Sequence, residues 1–220
     1  MRPEARRLKE VIAHDALPFR LLIAAQLLAM GAVRAHFGAP RSEEPAQASA
    51  PRPGEPAWLT ATLAAIALLH FGAILAYLAH PPLLAWSAFE VGAPARWIGI
   101  GIGGLGAAGE IWAAVSLGTS YSPRLRVAEE RVVVTAGPYL WIRHPLYAFW
   151  LPVMTGWGVA AGNWFVLASG TVLILVLLGL RVPREESMLL AGLGHSYRRY
   201  MARTGRFLPR FRSASRADRR

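Results

Sequence analysis

The sequence contains no cysteine. That excludes a disulfide framework, a thiolate metal site and a thiol nucleophile. Lysine is nearly missing too: Lys9 stands alone beside 23 arginines. Arginine in place of lysine is what GC-rich codon usage gives, and it points to a bacterial source. Acidic residues are few, 13 against 24 basic ones, for a formal net charge of +11. Only 17% of the residues are charged, while 54% are hydrophobic. A chain this apolar is not a disordered tail. A basic balance invites a nucleic-acid reading, but so much hydrophobicity describes an integral membrane protein with arginine-rich loops instead. No His-x-x-x-His or His-Glu-x-x-His pattern occurs, which disfavours zinc chemistry. No serine sits in a nucleophile elbow. The 220 residues suit one domain or two small ones.

What the chain does have is long apolar runs, and a spanning helix needs about 20 such residues. The clearest is Ala57 to His80, without a formal charge. A second extends from about Trp97 to Leu117 and is interrupted by Glu110 alone. Leu146 to Ala161 and Trp164 to Leu180 are separated by Gly162-Asn163, a link short enough to make them an antiparallel helical hairpin. The first run, Leu17 to Gly38, is weaker, because Arg20 and Arg34 leave 13 uncharged residues between them. It either spans with both arginines snorkelling or lies along the surface as an amphipathic helix. The basic start and apolar run resemble a signal peptide, but Ala35 to Gly38 is a poor cleavage site, so the segment is expected in the mature chain.

The expected fold class is therefore all-α: a polytopic transmembrane bundle of about five spans, with a C-terminal amphipathic helix. Three parts are expected. Residues 1–56 hold a basic segment, the first span and a connector with five prolines from Pro40 to Pro56. Residues 57–117 hold spans two and three. Residues 118–220 hold a long charged loop with a β-like run, Val132 to Thr135, then the last two spans, the amphipathic helix and a basic tail. Five spans place 17 basic residues on the C-terminal side and six on the other. The positive-inside rule then puts the C-terminal side in the cytoplasm. The basic N-terminus opposes this, and four spans with an interfacial first run would remove the conflict.

Among the motifs, Gly101 to Gly106 fits Gly-x-Gly-x-x-Gly in form. It lacks the preceding strand a dinucleotide site needs, and with Gly99 and Gly103 it reads as small residues for close helix packing. Glu110 lies inside a span, where an ionisable residue is either functional or held by a structural partner. His70 and His80 read as polar contacts between helices.

Two regions concentrate chemistry. Gly137 to Tyr147 fixes a turn and then offers Pro145 to the first turn of a helix, where its missing N–H costs nothing. Arg143 and His144 then flank exposed helix N–H groups, a setting for a carboxylate, or equally an interfacial anchor of Arg, Tyr and Trp. The second region is Arg181 to Leu190. Arg181 and Glu185 share a helix face if the helix continues past Pro183. Glu186, Leu190, Leu193, Tyr197 and Tyr200 form one stripe of an amphipathic helix. A carboxylate on that apolar stripe needs a cationic partner to stay ionised: a protein arginine, or the ammonium of a ligand.

These residues, taken in order, carry a resemblance. Trp112-Ala113, Ser116-Leu117-Gly118, Val134-Thr135, Gly137-Pro138-Tyr139, Arg143-His144-Pro145 with Tyr147, Arg181 with Glu185-Glu186 and Leu189, Gly194 with Tyr197 and Tyr200, and Arg206-Phe207-Leu208-Pro209 resemble the isoprenylcysteine carboxyl methyltransferase family over about Glu110 to Arg210. No single element is specific, but the ordered set is. The resemblance implies a multi-spanning methyltransferase that uses S-adenosylmethionine. It implies cofactor binding by Tyr139, Arg143, His144, Pro145, Tyr147, Glu185 and Glu186, with Arg181 and His144 at the reaction and no metal. The implied acceptor is a lipophilic small molecule, lipid or lipidated group, with a carboxylate foremost, reached from the membrane lipids; no nucleic acid is involved. The implied location is the bacterial inner membrane, with the site facing the cytoplasm. Two departures bear on the acceptor: Glu110 stands where many relatives have arginine, and Phe149 where many have a small residue. A phospholipid or small-molecule N- or S-methyltransferase, a membrane reductase and a non-enzymatic transporter or assembly protein are the competing readings.

Overall fold

The computed structural model describes residues 16–38, 56–117 and 133–210. The proline-rich connector, the first residue of the β-like run and the far basic tail lie outside them. Residues 133–135 are irregular rather than a strand.

Among the described residues six α-helices follow one another: α1 (Leu17–Gly38), α2 (Ala57–Ala79), α3 (Ala93–Leu117), α4 (Pro145–Ala161), α5 (Trp164–Val176) and α6 (Val182–Arg203). Short 3₁₀ turns cover Pro81–Ser87 and Gly137–Leu140. Among the described residues four stretches are long and apolar enough to cross a membrane: Leu17–Phe37, Ala57–Ala79, Ala93–Leu117 and the α5–α6 rod, Trp164–Arg203. The run expected as the remaining span is α4, whose 17 residues lie at the short limit for a crossing. The outer faces keep large apolar side chains exposed, such as Leu28, Leu68, Leu105 and Leu175. A surface of that kind suits lipid rather than water. The protein is an integral multi-pass membrane protein.

Glycine sets the tightest seam. A Cβ on Gly99 would lie 2.8 Å from the Ala160 nitrogen and the Gly156 oxygen. One on Gly156 would lie 2.5 Å from the Gly103 nitrogen. The Gly-rich stretch is thus a packing surface that brings the α3 and α4 backbones together. Val153, Met154, Trp157 and Ala160 of α4 fill the core beside it. A second cluster, Leu59, Leu63, Leu173, Ile174 and Leu177, joins α2 to α5. Polar contacts fasten α1: the Trp157 indole donates to Gln26 Oε1 at 2.8 Å, and Gln26 donates to the Ile100 carbonyl at 3.3 Å.

The α4–α5 hairpin turns as its sequence predicts. Gly162 takes the left-handed conformation (φ 61°, ψ 40°), which glycine adopts without a Cβ penalty. Asn163 then caps α5 by accepting the Val166 N–H at 3.0 Å. Its amide donates to the Leu84 carbonyl and the Ser87 hydroxyl at 3.0 and 2.9 Å. These contacts, and the Phe89 N–H bond to the Gly162 carbonyl, define one end of the bundle. Residues 137–147 and 177–210 gather at the other.

Between α5 and α6 the helix widens into a π turn, Leu177–Arg181, in which the Val182 N–H reaches the Leu177 carbonyl. Pro183 follows at once. In a regular helix its ring would collide with the carbonyl four residues back and leave that acceptor without a donor; the i→i+5 turn relieves this. The rod therefore continues, and Arg181 is carried into line with α6. The stripe expected on α6 holds for Glu186, Tyr197 and Tyr200, all buried. It does so across a break at Gly194 (φ 51°, ψ −120°).

Candidate functional site

The site is built at the end where residues 137–147 meet α6. Gly137 has φ 55°, and a Cβ there would run into the Ser116 side chain. The turn therefore sits directly on the end of α3, with the rings of Trp112 and Trp141 6.1 Å apart. Residues 141–144 then run alongside 205–206. Gly205 donates to the Trp141 carbonyl at 2.9 Å, Arg143 to the Gly205 carbonyl at 2.8 Å, and His144 to the Arg206 carbonyl at 3.1 Å. The Tyr200 hydroxyl donates to the Tyr139 carbonyl at 2.7 Å. A Cβ on Gly205 would strike the Leu208 carbonyl, so glycine is required for the chain to fold back there.

At the centre is Glu186, 3% exposed. Arg143 Nε donates to its Oε1 at 2.9 Å, and His144 Nε2 lies 3.2 Å from the same oxygen. A carboxylate only accepts, so Nε2 is the protonated ring nitrogen. Arg206 donates to Oε2. Arg143 also reaches the Thr204 carbonyl at 2.5 Å and the Met201 carbonyl at 3.3 Å through Nη1. The Glu186 carboxylate holds the Arg206 guanidinium above its usual pKa, chiefly through their hydrogen bond. Two arginines against one carboxylate leave the cluster positive.

Beside it, the Tyr147 hydroxyl donates to Glu185 Oε2 at 3.0 Å. Glu185 is only partly buried. Pro145 occupies the first turn of α4, and His144 is its N-cap without a side-chain capping bond. The imidazole is turned to Glu186 instead and lies near the rings of Tyr147 and Phe207. Arg181, half-buried, closes the π turn one helical turn before Glu185.

The structure thus joins Arg143, His144 and Glu186 in one cluster, and pairs Tyr147 with Glu185. Tyr139 is buried and tied in through its backbone. The cationic partner that Glu186 required is supplied by the protein, from 43 residues upstream and 20 downstream, with the His144 ring beside them. Sequence reasoning left out Arg206, Thr204 and Tyr200. Arg206 and Tyr200 do stand in the ordered motifs, and a buried carboxylate with a long basic tail behind it was the available signal. Glu110 also has a partner: Arg34 donates to its Oε1 through Nε and Nη2, at 2.9 and 2.7 Å. The Phe149 ring packs onto Gly109, which has no side chain to oppose it. Among the described residues no group of three or more His, Asp or Glu side chains could hold a metal.

The fold and this cluster define a polytopic helical membrane protein with a charged site at one end of its bundle. Residues 99–191 match the sequence model of the isoprenylcysteine carboxyl methyltransferase family. It is 32% identical over 82 residues to a protein-S-isoprenylcysteine O-methyltransferase of Tribolium castaneum. That stretch is 37% of this chain and 29% of the beetle protein. The fold is similar to that of a solved eukaryotic intramembrane Ras methyltransferase, isoprenylcysteine carboxyl methyltransferase. The TM-score is 0.51 at 22% identity, covering 86% of this chain and 62% of the other. The chain therefore spans under a third of the curated relative's length and less than two thirds of the solved one.

Proposed function

We propose that the protein transfers a methyl group from S-adenosylmethionine to a lipophilic acceptor, a carboxylate in the first place, at the charged end of the bundle. The observation that carries this reading is the convergence of the Arg-His-Pro turn, Glu185-Glu186 and Arg206 around one buried carboxylate. Most of that convergence falls within the family-matched segment.

The residues present fit the cofactor's charged groups. Glu185 keeps Oε2 on Tyr147 and is partly exposed, so its other oxygen serves an ammonium. Glu186 is spent on three protein donors and acts as a positioning residue that holds Arg143 and His144. The surplus positive charge of the cluster and the start of α4 suit the cofactor carboxylate. S-adenosylmethionine supplies the methyl group on a sulfonium centre. Arg181 orients the acceptor carboxylate, His144 keeps its ring fixed by Glu186, and the apolar walls exclude water. An acceptor that is already anionic needs no base, only alignment and desolvation. This accounts for a site without a Ser–His or Cys–His pair. An amine acceptor would need a proton removed, with His144 or Glu110 as the candidate group.

Described cations crowd this end: Arg143, Arg181, Arg184, Arg198, Arg199, Arg203, Arg206 and Arg210, against Arg20 and Arg96 toward the other. By the positive-inside rule the site faces the cytoplasm, and in a bacterium the membrane is the inner one. Titration calorimetry of the purified chain with S-adenosylmethionine tests the reading, followed by radiolabelled-methyl transfer to a lipid extract. Micromolar binding and a labelled lipophilic product are expected. Absence of binding well above micromolar concentration sinks it.

A further inference from the structure

The second half of α6 leaves the line of the first, and Arg143 shows it. Its Nε bonds Glu186, while Nη1 of the same guanidinium reaches the Met201 carbonyl. On a straight helix those two residues would lie about 22 Å apart along the axis, too far for one guanidinium. The chain therefore folds back at Gly194 (φ 51°, ψ −120°), a backbone conformation open to glycine. Residues 195–203 form a returning limb.

That limb has two faces. Tyr197 and Tyr200 point inward and are buried. His195, Arg198, Arg199, Ala202 and Arg203 are exposed, at the spacing of a single helix face. Arg210 folds over the end of the limb, donating to the Met201 and Ala202 carbonyls at 3.3 and 3.2 Å. Leu208 nearby in the chain is 76% exposed. Among the described residues no acid answers these arginines. Glu185 bonds Tyr147, Glu186 belongs to the cluster and Glu110 bonds Arg34. Glu90 follows Phe89 at the hairpin end.

The limb also ends level with the membrane boundary. Residues 205–206 pair with 141–144, which lead directly into Pro145 at the start of α4. Trp112 and Trp141 beside them are exposed, and tryptophan gathers at membrane–water interfaces.

We propose that Arg198, Arg199, Arg203 and Arg210 form a docking surface for the anionic phospholipid headgroups of the leaflet at this end of the bundle. Charge selects the partner: a basic face next to a membrane draws anionic lipid, within a Debye length. Guanidinium groups bind phosphate through paired N–H donors. The headgroups steady from outside the same limb whose Met201 carbonyl holds Arg143 from inside. The surface depends on the protein's place in a membrane and not on methyl transfer.

The absence of cysteine lets one label be placed at will. The full chain carries a donor fluorophore on Ala202→Cys, within the basic face, or on Ala85→Cys, exposed at the hairpin end. It is reconstituted in mixed phosphatidylcholine–phosphatidylglycerol vesicles with a trace of acceptor-labelled lipid of either kind. Energy transfer from the label on Ala202→Cys is expected to favour phosphatidylglycerol over phosphatidylcholine by about threefold. The preference should vanish in about 1 M salt, where the Debye length is about 3 Å. It should vanish too in Arg198→Gln/Arg199→Gln/Arg203→Gln and persist in Arg198→Lys/Arg199→Lys/Arg203→Lys. Both variants alter exposed side chains alone, and circular dichroism checks that their helices are intact. Equal transfer to the two lipids overturns the surface. So does a preference that the glutamine variant leaves unchanged, or one shared by the label on Ala85→Cys. Transfer to neither lipid puts the limb away from the membrane and overturns it as well.

Discussion

The two ends of the bundle bury polar groups by opposite means. At the hairpin end, Asn163, Ser87 and the Leu84 carbonyl satisfy one another with neutral donors and acceptors. Nothing is left over among these three groups, so they act as a fastening. At the other end, one carboxylate faces two arginines and a histidine. Charge there is in excess, and excess charge is what recognises a charged ligand. The difference separates a part that only holds helices from a part that, in the proposed function, also binds.

Four substitutions test this contrast. The largest effect is expected from Glu186→Gln, which leaves Arg143 buried against a neutral amide. Breaking a buried charge pair costs about 3–5 kcal/mol. Thermal unfolding should shift strongly downward, and S-adenosylmethionine affinity should fall by about 100-fold or more, equivalent to ~2.7 kcal/mol. Glu185→Gln should separate binding from stability: affinity falls about tenfold with the unfolding temperature unchanged. If both properties drop together, Glu185 is part of the fastening. Asn163→Ala, at the neutral end, should cost about 1–2 kcal/mol as a lost helix cap and leave cofactor affinity untouched. A fall in affinity would dissolve the contrast between the ends. Arg206→Ala should have the smallest effect on stability, under about 1 kcal/mol. Its side chain is 43% exposed, and exposed ion pairs are worth little.

Much of this was legible in the sequence, for identifiable reasons. The apolar runs, the Gly162-Asn163 turn and the glycine seam follow from composition at short range. Pro145 marked the start of α4, and the placement of Glu186 on an apolar stripe demanded a cation. What stayed hidden was long-range. Nothing local says that the cation is Arg143, or that residues 205–206 return to pair with 141–144. Arg34 read as an interruption of the first run, yet it neutralises Glu110 from 76 residues away. A lone acid and a lone base in separate spans would have been the signal for that pair. The π turn was hidden as well, although Pro183 inside an otherwise helical stretch is the kind of residue that needs one.

The backbone bonds between residues 141–144 and 205–206 also constrain the order in which the protein is made. Glu186 leaves the ribosome before Arg206, and a C-terminal neighbour must emerge before the carboxylate has all its partners. Until then the α5–α6 rod carries its charge without the clasp that closes over it. The cluster therefore closes only once residues 205–206 are available, and a chain stopped before Gly205 should insert its helices while lacking an assembled site.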